Sequence, residues 1–126
     1  MRFFSNSTSV TESEIREAET CFGIQLPESL KKLILDHNGA TWSTESNLVD
    51  SLISFSRNDQ VSVFNSCALP EGYMPFADDG KEGCYALSAK EGEGIVHFSS
   101  PDNGLEKTCI CDSFNIFLSM LAQPQE

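Results

Sequence analysis

The stretch YMPFADDGKEGCY, residues 73–85, holds the side chains with the clearest chemical potential. Asp78 and Asp79 are adjacent, a glycine follows, and Glu82 stands three residues beyond Asp79. Three carboxylates on one turn raise three possibilities: oxygen ligation of a hard cation, acid–base catalysis, or a charged contact with a partner's Arg or Lys. Neighbouring residues on an extended chain point to opposite sides, so Asp78 and Asp79 do not converge on one ion. No further oxygen ligand falls at a calcium-loop spacing, and the expectation is that no metal binds here. Two readings remain open, a turn with solvated acids and an exposed edge that meets a partner.

The other candidates for chemistry are few. Cys109-x-Cys111 on a strand places both thiols on one face, but no second pair stands at zinc spacing. Free cysteine packs as a small apolar residue, so Cys21, Cys67, Cys84, Cys109 and Cys111 are expected in the core and reduced. Of the two histidines, His37 falls in the last turn of a helix, where a cation suits the dipole. His97 alternates with Val96 and Phe98 and faces away from the side they bury. No nucleophile motif accompanies either histidine, and no glycine-rich phosphate loop precedes a helix. The residues therefore predict no catalytic group and no cofactor. Trp42, in the polar stretch GATWSTESN, either covers the core edge or anchors a partner.

The elements that position these residues follow from the patterning. With 126 residues the chain fits one domain, 1–126, around one core. Thr11-Glu12-Ser13-Glu14 is a capping box, and Ile15, Ala18 and Phe22 form a helical stripe that Gly23 closes. Pro27 suits the first position of a second helix, which carries Leu30, Leu33 and Ile34 and stops at Asn38-Gly39. Residues 3–9 read as a loose arm or an added edge. Val49, Ile53 and Phe55 suggest a strand, and Ser56–Phe64 a short helix carrying Val61 and Phe64. From Tyr73 four apolar runs, YMPFA, CYALSA, IVHFS and KTCIC, alternate with turn sequences. Asp112 then opens a closing helix carrying Phe114, Phe117, Leu118 and Leu121. The pattern predicts an α+β domain: a mostly antiparallel sheet of about four to six strands, covered by an N-terminal helix pair and a C-terminal helix.

The net charge is −11, divided as −3 over residues 1–57 and −8 over residues 58–126. Such a surface repels phosphate backbones, which argues against direct nucleic-acid binding, and it attracts basic partners. No run approaches a membrane span and no leader-like segment is visible, so a cytoplasmic protein is expected.

Four segments, FGIQLPESLKKLILDHNGA, EGYMPFADDGKEGCYALS, GIVHFSS and CDSFNIFLSML, resemble in order and spacing the SUKH superfamily, the Smi/Knr-like domains. The resemblance spans roughly residues 11–121. It departs at the acidic turn, where Lys81 and Glu82 intervene before Gly83. The superfamily includes bacterial toxin-immunity proteins and fungal cell-wall regulators. The resemblance therefore implies a non-enzymatic binding protein whose partner is a cognate, basic, nucleic-acid-targeting toxin. The alternative it implies is an intracellular scaffold or regulator; a small hydrolase using the acidic turn is a third reading. The expected partner face comprises Asp78, Asp79 and Glu82, widened by Glu91, Glu93 and Asp102, with Trp42 as a possible anchor.

Overall fold

A computed structural model of the chain describes residues 2–4, 9–65, 69–99 and 104–122. Seven strands form one antiparallel sheet in chain order: β1 (Arg2–Phe4), β2 (Thr41–Ser43), β3 (Ser51–Leu52), β4 (Tyr73–Asp78), β5 (Cys84–Ser88), β6 (Ile95–Ser99) and β7 (Glu106–Cys111). Helices α1 (Glu12–Phe22) and α2 (Glu28–His37) lie between β1 and β2, and α3 (Phe114–Leu121) follows β7. The architecture is the expected α+β one. The sheet exceeds the expected strand count because the arm at Arg2–Phe4 and part of the stretch after α2 pair with each other, Phe3 opposite Trp42.

Local signals set the helix ends. Thr11 and Glu14 form the capping box, with the Glu14 amide donating to Thr11 Oγ1 at 3.2 Å and the Thr11 amide to Glu14 Oε1 at 3.1 Å. Gly23, at φ 68°, closes α1. Two boundaries differ by one residue from the sequence reading. Pro27 caps α2 rather than opening it, its carbonyl accepting from the Lys31 amide. Ser113 rather than Asp112 caps α3, because its hydroxyl accepts from the Ile116 amide.

The middle of the chain departs further. Residues 56–64 form turns, not a helix. The serine hydroxyls take the local amides instead: Ser56 Oγ accepts from Asn58, Ser62 Oγ from Phe64, and Asn65 Oδ1 from Ser62. Such bonds give the backbone a non-helical solution. Val61, the intended inward residue, is 62% exposed. The strand expected around Val49–Phe55 shortens to Ser51–Leu52.

Tyr73–Ala77 and Cys84–Leu87 are buried without alternation, so both faces of the central strands are covered. On one face α3 lays Phe117 against Phe76 and Tyr85, with ring centroids 5.7 and 5.0 Å apart. Burying these rings together contributes apolar stabilisation on this side.

Candidate functional site

The β4–β5 connection is built by its own carboxylates. Asp78 Oδ1 accepts from the Gly80 amide at 2.7 Å. Asp79 Oδ1 accepts from the amides of Lys81 at 2.8 Å and Gly83 at 3.1 Å, and the Asp79 amide donates to the Gly83 carbonyl. Side chains that take amides two and four residues on, together with this one backbone bond, fold the chain back. Gly83 then runs tight against β6: a Cβ there would lie 2.4 Å from the Phe98 carbonyl oxygen. This close approach delivers Asp79 Oδ2 to His97 Nε2, 2.8 Å away.

The pairing of β5 with β6 sets Tyr85 opposite His97, and their rings lie 4.8 Å apart. The side chains of Asp79 and His97 are only 10% and 21% exposed, so the expected fully exposed turn is corrected at Asp79. Asp78, Gly80, Lys81 and Glu82 are exposed. Burial opposes the charge of Asp79, but the bonds from His97 and the two amides outweigh it and hold its carboxyl below the usual value. With Asp79 ionised, Nε2 is the protonated imidazole nitrogen. Burial, and then the Asp79 charge, push the Tyr85 phenol up to about 12.

Above this pair opens a recess of about 490 Å³ lined by Asn47, Leu48, Lys81, Glu82, Gly83 and Ser99 together with Asp79, Tyr85 and His97. Asp50 adds a fourth carboxylate beside the turn: its Cβ would stand 3.0 Å from a Cβ on Gly80. Sequence reasoning missed both Asp50 and His97 as members of this site. The displacement of His97 from the Val96/Phe98 face was the visible signal for the second. Among the described residues, no Ser, Thr or Cys side chain hydrogen-bonds to His97.

The structure divides the other expected site residues. Glu91 and Glu93 lie on the β5–β6 turn, at the end of the meander opposite the β4–β5 turn, and so do not widen the patch around Asp78, Asp79 and Glu82. Glu93 is moreover engaged within the chain. Its carboxylate accepts from Ser88 Oγ at 2.7 Å, Tyr73 Oη at 2.8 Å and Lys107 Nζ at 2.5 Å. Those bonds, Lys107's first, lower its carboxyl to about 2. Asp102 lies outside the described residues. Trp42 is 1% exposed and stacks on Phe3, which supports its covering of the core edge and argues against its role as a partner anchor.

The thiols also need correction. Cys84 is buried, Cys111 is half-buried, and Cys21 and Cys109 are exposed; Cys67 lies outside the described residues. A bulge sets Val96 opposite Cys109 and Ile95 opposite Cys111, so the two thiols of β7 leave on opposite faces. Among the described residues, no three His, Cys, Asp or Glu side chains are grouped to hold a metal. Also among them, no helix is long and apolar enough to cross a membrane.

An α+β domain with a sequential antiparallel meander and a carboxylate-rimmed recess at one sheet end defines the class. The chain belongs to the SMI1 / KNR4 family (SUKH-1), whose model matches residues 9–120. No curated protein and no solved structure matched the chain. Membership supports a protein-binding role in general terms.

Proposed function

We propose that the domain is a cytoplasmic immunity protein that binds a cognate, basic toxin domain and neutralises it by occlusion, without chemistry of its own. The observation that carries this reading is the charge gathered at one sheet end. Asp50, Asp78, Asp79 and Glu82 surround the β4–β5 turn, and Lys81 is the one base within it. A focused negative surface steers a basic partner and speeds encounter. Family membership supports a binding role, and the resemblance to toxin-immunity proteins supplies the class of partner.

The test is co-production with the toxin-domain polypeptide encoded beside this chain's gene. A stable complex and loss of toxin activity are expected. The double change Asp78→Lys and Glu82→Lys, which spares the buried Asp79, should slow association and flatten its salt dependence. Unimpeded toxin activity in the presence of excess folded protein would reject the proposal. Family membership is equally compatible with a second reading, an intracellular regulator, which predicts a partner that is bound but not inhibited.

A further inference from the structure

We propose that the recess at the β4–β5 turn is a socket for one arginine side chain of the protein partner, received by Glu82, Asn47 and Ser99. The inference deepens the binding role proposed above and rests on it.

The shape comes first. A recess of about 490 Å³ is ample for a long side chain with a planar head, and it opens to solvent beside exposed residues of the turn. Its chemistry comes second. The walls include Glu82, Asn47, Ser99 and Tyr85, whose side chains carry a carboxylate, an amide and two hydroxyls. A guanidinium carries five N–H donors in a planar fork and matches acceptors spread over several directions better than the compact ammonium of lysine. The floor does not compete for these donors. Asp79 and His97 hold one another, and Asp79 also serves two turn amides, so the floor contributes negative charge but few open lone pairs.

The charge balance selects the sign of the guest. Among the lining residues Asp79 and Glu82 outnumber Lys81, and Asp50 and Asp78 stand beside the same turn, so an anion is repelled and a cation drawn in. The acceptors are also open and set in place. Among the described residues, neither the Glu82 carboxylate nor the Asn47 amide makes a hydrogen bond within the chain. Asn47, at φ 57°, is the one non-glycine described residue in the left-handed region. Its neighbours hold it there: the Ser46 amide donates to the Leu121 carbonyl, and Ser46 Oγ accepts from the Leu48 amide.

The experiment is a ¹⁵N NMR titration of the whole chain with N-acetyl-arginine amide, and with N-acetyl-citrulline amide as the neutral isostere. The arginine probe should give saturable shifts at Gly83, Tyr85, His97 and Ser99. The citrulline probe should give none there, and Glu82→Gln should weaken the arginine response about fivefold, the upper range for an exposed ion pair. Equal shifts from both probes, unsaturable shifts that appear alike at the Glu91 turn, or an unchanged response in Glu82→Gln would overturn the socket. The titration uses this chain alone. A failed socket therefore leaves toxin neutralisation standing, and a failed toxin assay leaves the socket standing.

Discussion

Asp79 and His97 are 18 residues apart in the chain and 2.8 Å apart in the fold, joined where the β4–β5 turn folds onto β6. Asp78, one residue earlier, is exposed, and its carboxylate accepts from the Gly80 amide. The two aspartates should therefore respond differently to truncation. Asp79→Ala leaves a largely buried imidazole and two amides without their acceptor and should cost about 1–3 kcal/mol. Asp78→Ala should stay within about 0.5 kcal/mol. Urea unfolding of both variants checks this. The folded carboxyl of Asp79 lies below its unfolded value, so its contribution is present above the ordinary aspartate range and is lost as pH falls through the lowered value. That part of the acid slope should vanish in Asp79→Asn.

At the far end of the meander, Glu93 should stay ionised down to about pH 2, held first by Lys107 and then by Ser88 and Tyr73. Its stabilisation is present above the ordinary glutamate value of 4.5 and fades as pH falls toward 2. Carbon-detected NMR titration of the side-chain carboxyl reads this directly. In Lys107→Met the midpoint should climb back toward the ordinary value.

Tyr85 should resist alkali. Its phenol is raised from 10.0 to about 12, by burial first and by the Asp79 charge second. The neutral form is favoured in the folded chain, so this contribution is intact below pH 10 and is lost as pH rises toward 12. In a Tyr73→Phe background, the phenolate absorbance should rise near pH 12. Adding Asp79→Asn should lower the midpoint only partly, because burial remains.

Gly83→Ala should be poorly tolerated, since its Cβ would press on the Phe98 carbonyl at 2.4 Å. A cost of about 1–3 kcal/mol is expected from such overpacking. The His97 imidazole resonances should shift as the turn is pushed off β6, which a two-dimensional spectrum of the folded variant would report.

Much of this fold was legible because its helices announce themselves locally: Thr11 with Glu14, Gly23, and the stripe of Phe114, Phe117 and Leu121. The strands of the meander were legible as short apolar runs between turns. Arg2–Phe4 and Thr41–Ser43 were harder, because strands of three residues acquire their character from partners distant in the chain, Arg2–Phe4 from β2 across two helices and Thr41–Ser43 from both β1 and β3. The turns at 56–64 misled because Val61 and Phe64 fall at helical spacing while Ser56 and Ser62 bond their own neighbours. At the site, the three acids of the turn were visible as residue types. The Asp79–His97 bond was not, since it depends on strand register and on the missing side chain at Gly83. Trp42 was open to two readings because its neighbours are polar, and the pairing with Phe3 decides for the core.

Because every strand lies beside its neighbour in the chain, assembly of the sheet has a natural direction. The hairpins from Tyr73 to Cys111 close short loops and lose little chain entropy before their contacts form. Pairing of Arg2–Phe4 with Thr41–Ser43 must close a loop that contains two helices, for a three-residue ladder in return. Folding is therefore expected to start in the meander and to seal the N-terminal edge last. Native-state hydrogen exchange should show the same order reversed, with the amides of Phe3 and Trp42 opening well before those of Tyr85 and Val96.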